Sequence, residues 1–242
     1  MIARFSLYDF IAVVVPGIFF VWILSAFLGI ELGGALTPTR GDLTETSLLI
    51  VVGYVIGLLL QGLSQRYTEG LLLRLWGGFP SARWLLPGND HFTKKYMEEL
   101  GAALSSQFGI VLSTDPVNPA NRSAAMKRNQ EIFRRCQRLT EGNSDLPHTF
   151  NAQYGLFRLL LTTFVLLAII GAIEVVYAWL SARFLDVSGL ALLVFSLGGA
   201  VISCWRVEKR AEDFAGAVYD IFLANTPKQS SSSASGQLDP PR

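Results

Sequence analysis

Charged residues are nearly missing from four long stretches of the chain and crowd into the segments between them. Residues 10–30 carry no charge over 21 positions. Residues 47–63 are shorter and include Gln61 near their end, residues 159–180 contain the single acid Glu174, and residues 187–205 are again uncharged. About 20 apolar residues are needed for an α-helix to cross the ~30 Å hydrocarbon layer. No water is available there to satisfy a backbone N–H or C=O, so each stretch is predicted to be helical. The pattern predicts an all-α, polytopic membrane protein with four transmembrane helices and a helical cytoplasmic insert between the second and third.

Between and after the apolar stretches the period of the pattern stays helical. In "FTKKYMEELGAALSSQFGIVL", Phe92, Tyr96, Leu100, Leu104, Phe108 and Val111 recur at helical spacing. In "NRSAAMKRNQEIFRRCQRL", Ala125, Ile132, Cys136 and Leu139 share a face, bracketed by Asn118-Pro119 and Gly142-Asn143. After the fourth stretch, Val207, Ala211, Phe214, Val218 and Ile221 form an apolar stripe, predicting one helix that runs out of the membrane. The second span extends in the same way through "RYTEGLLLRLW". These stripes need partners, and a small helical bundle supplies them. The organisation read from the chain is 1–63 (transmembrane helices 1 and 2), 64–157 (helical insert), 158–205 (helices 3 and 4), 206–225 (closing cytoplasmic helix) and 226–242 (a Ser- and Pro-rich tail, predicted disordered). The segment "WGGFPSARWLLPGND" fits two roles, an aromatic anchor on the membrane surface or a cap on the bundle.

Composition changes this picture little: 51% of residues are hydrophobic and 16% charged, below the ~25% of soluble domains. Charge distribution says more. The segment before the second span has Arg40 against Glu31, Asp42 and Glu45, and the turn before the fourth has Arg183 and Asp186. The long insert holds eleven basic residues, Arg158 edges the third span, and Arg206, Lys209 and Arg210 follow the fourth. The excess of Lys and Arg on one side predicts that both termini and the insert are cytoplasmic. Asp9 and the length of the first apolar stretch argue against a cleaved signal peptide; Asp9 reads as an N-terminal helix cap. Pro16-Gly17 predicts a kink.

Within the spans, Glu174 lies about 7 Å from the midplane. It either packs against neighbouring helices and snorkels outward, or lines a polar path. Gln61 is the second intramembrane polar candidate. Gly53 and Gly57, four apart, and Ser196, Gly199, Ala200 and Ser203 are small-residue faces suited to close helix packing. Outside the spans the strongest signal is basic. Arg122, Lys127, Arg128, Arg134, Arg135 and Arg138 face only Glu131 between 120 and 140. They suit anionic lipid headgroups, or an acidic partner protein or anionic ligand on the cytoplasmic face; the chain is separately expected to form a homo-oligomer or to join such a partner. No aromatic stacking platform accompanies them, which argues against nucleic acid.

Catalytic chemistry is not legible. His91 and His148 have no second ligand at helical spacing, so neither metal nor cofactor is expected. Phosphate-binding loops and nucleophile elbows are missing. Cys136 and Cys204 are widely separated, and reduced thiols are expected. An enzyme acting on lipid would need Asp9, Gln61, Arg66 and Arg158 to converge on a cavity.

The segments "SLYDFIAVVVPG", "YGLFRLLLTTF" and "RVEKRAEDFAGAVYDIF" resemble a group of uncharacterised bacterial four-span inner-membrane proteins. These have an aromatic-Asp-Phe…Pro-Gly opening, paired spans around a cytoplasmic insert and an Arg-rich closing helix. The resemblance implies a membrane effector or accessory subunit associated with mobile elements or phage defence, and carries no catalytic residues. Glu212 and Asp213 depart from the basic closing helix it implies. The expectation is a non-enzymatic inner-membrane protein acting as effector, scaffold or accessory subunit through its basic cytoplasmic domain. The alternative is an oligomeric ion channel or small transporter with Glu174 in its path.

Overall fold

A computed structural model describes residues 7–29, 43–113, 118–142, 146–181 and 187–226, with side chains from residue 10 in the first of these segments and from residue 46 in the second. The charged positions that set the orientation, Glu31, Arg40, Asp42, Arg183 and Asp186, lie outside the described residues, as do the side chains of Asp9 and Glu45 and the tail beyond Thr226. The described chain is helical, with α1 Leu7–Phe27, α2 Leu43–Leu63, a π-helical turn Ser64–Thr68, α3 Glu69–Trp76, α4 Pro80–Arg83, α5 Lys94–Phe108, α6 Arg122–Thr140, α7 Leu146–Leu180 and α8 Val187–Asn225. Among the described residues, four helices are long and apolar enough to cross a membrane.

Those four pack side by side in the order α2, α1, α7, α8. α1 and α7 hold the centre, and α2 and α8 leave more of their surface uncovered. The uncovered faces are apolar: Val51, Val55 and Leu59 on α2, and Val194, Val201 and Ile202 on α8. In water such faces would have to be covered; in hydrocarbon they need no protein partner.

Several boundaries depart from the pattern for local reasons. α1 ends at Phe27 rather than Ile30, because Leu28 and Gly29 close it with hydrogen bonds back to Leu24 and Ala26. It starts at Leu7, so Asp9 stands in its first turn and not at the cap. α5 stops at Phe108, where Gly109 takes φ +65° and its N–H and that of Ile110 close onto Ser105 and Leu104. Val111 therefore leaves the stripe and is exposed. On α6 the buried face is Asn129, Ile132, Phe133, Cys136 and Thr140, and Leu139 falls outside it.

The second half of α8 is the axis of the extramembrane part. Its Ala215, Val218, Tyr219 and Phe222 form one core with Trp84 and Leu85 after α4, Leu100 and Leu104 of α5, and Ile132, Phe133 and Cys136 of α6. Burial follows Ala215, Tyr219 and Phe222 in place of Phe214 and Ile221, because α4, α5 and α6 approach α8 from different sides. Tyr219 is fully buried and its hydroxyl donates to the Ser81 carbonyl at 2.6 Å. Trp84 and Leu85 being in this core, the "WGGFPSARWLLPGND" segment caps the bundle. Gly77 (φ +67°) and Gly78 (φ +117°) turn the chain into it, and a Cβ on Gly78 would sit 2.0 Å from Met126 Cε.

A second apolar cluster, Leu72, Tyr154, Leu161, Val207 and Ala211, joins α3, α7 and α8 between the apolar helices and the bundle.

Candidate functional site

The polar residues of this joint converge where α2 becomes α3. A π turn carries about one residue more than an α turn, so it rotates everything beyond it by about 100°. Across Ser64–Thr68 this sets three polar side chains of one helix against α7. The Ser64 hydroxyl donates to the Arg158 carbonyl (3.5 Å), Thr68 and Thr162 share a hydrogen bond of 2.8 Å, and the Glu69 carboxylate accepts from Arg158 Nη1. The Arg158 guanidinium also lies 5.3 Å from the Tyr154 ring centre. Ser64 is fully buried, and Tyr154 and Arg158 are each 8% exposed. The ion pair answers the charge of Arg158, but its Nε and the Tyr154 hydroxyl are buried without a hydrogen-bond partner.

Beside this cluster a cavity of about 410 Å³ opens between α1, α2 and α7. Val13, Leu58 and Leu159 make apolar wall; Gln61, Gln65, Asn151, Tyr154 and Arg158 make polar wall. Of the four residues whose convergence a lipid-modifying enzyme required, Gln61 and Arg158 line the cavity. Arg66 lies instead near the ring of Tyr67, 5.9 Å from its centre, and the Asp9 side chain is outside the described residues. The residues missed in the sequence are Glu69, Tyr154 and Thr162. An acid one turn beyond an apolar window reads as solvated, and only the π turn brings it onto α7.

Glu174 lies elsewhere, half-buried at the α7–α8 contact. Its Cβ would be 3.1 Å from a Cβ built on Gly189, so the missing side chain at Gly189 accommodates it. Gly53 and Gly57 lie at the α1–α2 crossing with Gly17, which the sequence suggested only as a source of a kink. A Cβ on Gly17 would fall 1.9 Å from the Gly53 carbonyl oxygen, and one on Gly57 2.2 Å from that of Val13. On α8, a Cβ on Gly199 would meet the Phe164 ring at 2.4 Å, and Ser203 is buried.

The six cations of α6, Arg122, Lys127, Arg128, Arg134, Arg135 and Arg138, are all exposed. At about 100° per residue, all but Arg122 fall in an arc of about 120° opposite the buried face. Arg128 donates to the Val111 carbonyl at 2.9 Å. None of the six has a carboxylate within 4.0 Å among the described residues. Several other extramembrane groups are paired: Arg83 with Glu212 at 4.0 Å, Lys95 with Glu99 at 4.0 Å, Lys209 and Arg210 with Asp213 at 3.4 and 2.9 Å, and Tyr96 donates to Asp220 at 2.8 Å. His91 stacks on Trp84 with centroids 3.6 Å apart, and burial holds its pKa below the ordinary value. Comparison with family models, with curated proteins and with solved structures finds no match for this chain.

Proposed function

We propose that the chain is a non-enzymatic, multi-pass inner-membrane protein that docks an acidic partner protein on its cytoplasmic face. Four apolar helices hold the α3–α6 bundle to the bilayer, and the outer surface of α6 is the docking face. The observation that carries this reading is the arc of five exposed cations on α6, none of which has a carboxylate within 4.0 Å among the described residues. Such a surface steers an oppositely charged partner and raises its association rate.

Height at the C-terminal end of α6 favours a protein over headgroups of the same membrane. The end of α6 packs near Pro147 of α7 and Phe214 of α8. These lie eleven and eight residues beyond Arg158 and Arg206, or about 16 and 12 Å at 1.5 Å per residue. The headgroup layer adds only about 5–8 Å to the hydrocarbon edge, and screening at physiological salt acts over ~8 Å.

The test is site-specific photocrosslinking in membranes of living cells, with the crosslinker at Gln130 on α6. A partner held by charge gives a discrete heavier adduct. Reversal of Arg128, Arg134 and Arg135 to Glu removes that adduct while membrane level and helicity stay unchanged. An adduct that survives the triple reversal refutes the docking face.

A further inference from the structure

We propose that two copies of the chain pair along the helix formed by α2, the π turn and α3, about a two-fold axis parallel to the membrane normal. This does not rest on the docking face of α6.

The helix runs unbroken from Leu43 to Trp76, because Leu63, Thr68 and Glu69 all keep right-handed helical backbone angles. α2 is an outer helix of the four. It turns Gly53 and Gly57 towards α1 and leaves its other side uncovered among the described residues. On that side every fourth residue from Val51 to Leu75 is a large apolar one, and all seven are 41–68% exposed. A spacing of four drifts by about 40° per step on an α-helix, which over the whole row would carry it about 240° round and into the core. The π turn at Ser64–Thr68 takes back about 100° of this, so the row keeps to one side.

The lower part of the row faces hydrocarbon, and the upper part leaves it. The Ser64 hydroxyl bonds the Arg158 carbonyl, which sets Ser64 level with the charged edge of the third apolar stretch. Leu71 and Leu75 lie seven and eleven residues further on, or about 10 and 16 Å at 1.5 Å per residue. Headgroups add only about 5–8 Å to the hydrocarbon edge, so both leucines stand in water, where an apolar row marks a contact surface. Whatever covers the row has to cross the same membrane and continue upward as an apolar helix. The chain itself carries such a helix, and the membrane holds every copy at one height and one orientation. The exposed fractions come to roughly 700 Å² on one copy, near the ~800 Å² that each partner buries in a stable interface. A two-fold axis along the normal sets the row against itself. Arg66 and Arg74 fall on one flank of the row, and a parallel pair sets that flank against the opposite flank of the second helix, which keeps the arginines of the two copies apart.

The experiment uses the full chain in liposomes, with Cys204→Ser so that the buried Cys136 is the remaining native thiol. On a parallel two-fold contact each residue of the row meets its own copy. Leu71→Cys and Leu75→Cys should therefore each give a disulfide-linked dimer under copper phenanthroline. Val111→Cys, exposed but off the row, should not. Photobleaching of sparsely reconstituted chain labelled once at the C-terminus should show two steps per spot. Molar salt, which screens the α6 cations, should leave that count unchanged. Leu71→Glu combined with Leu75→Glu should raise the dissociation constant by about 100-fold or more. Circular dichroism and thermal unfolding should not change, both side chains being exposed. Single-step spots in the wild type, pairing lost in salt, pairs that survive the double Glu substitution, or Val111→Cys linking as readily as Leu71→Cys would each overturn the proposal. Should the double Glu variant fail to fold, the crosslinks and the wild-type step count decide the question.

Discussion

A single methyl group added at Gly17 should separate α1 from α2. The ideal Cβ there falls 1.9 Å from the Gly53 carbonyl oxygen and 2.7 Å from the Gly57 amide nitrogen, against a practical minimum of 3.0 Å. Both obstacles are backbone, so no rotamer change relieves them and the helices must move apart by about 1 Å. In hydrocarbon there is little hydrophobic force to hold helices together, and close packing supplies the attraction. A gap of 0.5–1 Å forfeits a quarter to a half of the dispersion well for each atom pair it opens, and overpacking of this kind costs about 1–3 kcal/mol. Gly62→Ala is the matched control, since a Cβ there meets nothing within 4 Å. On an exposed helical position it should be neutral or stabilise by up to about 1 kcal/mol. Reversible unfolding of the detergent-solubilised chain by added SDS, followed by far-UV circular dichroism, reports both. Opposite signs for the two substitutions are expected. Gly17→Ala unfolding at the wild-type SDS fraction would refute the backbone-to-backbone crossing.

Other outcomes follow from the joint and the bundle. Arg158→Leu leaves the half-buried Glu69 without its cation and should cost about 1–3 kcal/mol, less than the penalty for breaking a fully buried pair because water reaches the carboxylate; adding Glu69→Leu should recover about 0.5–3 kcal/mol of it. A strictly additive double mutant in the same SDS titration would mean that the two do not interact. Tyr219→Phe should cost about 1–3 kcal/mol, because the Ser81 carbonyl loses its buried donor; thermal unfolding that is unchanged would contradict the bond. Burial pushes the Cys136 thiol up to about 12 and raises Tyr96 and Tyr219 in the same direction. The folded bundle then keeps protons that the unfolded chain releases, so stability is complete below about pH 9 and falls from there towards pH 12. Cys136→Ser should flatten part of that fall, and a pH–stability curve level between 9 and 12 would refute the assignment.

What the sequence makes legible is what depends on one helix at a time. The four nearly charge-free windows correspond to the four helices, among the described residues, long and apolar enough to span a membrane, because hydropathy over a full span leaves a helix no competing structure. The period running from Val187 to Ile221 is a single helix in α8, and 122–140 is helical within a residue of its pattern. What it hides depends on two helices at once. Gly17 reads as half of a Pro-Gly kink until α2 brings Gly53 against it. Leu139 shares a face with Ile132 by spacing, yet α4 and α8 choose a neighbouring face for burial. Glu69 is the clearest case, since no periodicity announces a π turn and its register shift alone carries the acid to Arg158.

That shift also changes how the charges are to be counted. Counted along the chain, Arg158 is one basic residue among many on one side of the apolar helices. In the fold it is neutralised by Glu69, Arg83 faces Glu212, and Lys209 and Arg210 share Asp213. Arg158 and Arg83 tie α7 to α3 and α4 to α8, while Lys209 and Arg210 are neutralised within α8 itself. The α6 residues are left outside that accounting, although Glu131 is within reach of Lys127 and Arg135 at i,i±4 spacing, a geometry worth only a few tenths of a kcal/mol. Charge that serves only to set topology has no need to be gathered on one arc of one helix, raised above the span ends and turned away from the core. Gathered there, it forms a coherent field that an acidic surface meets as a unit, and this separates α6 from the other basic residues of the chain.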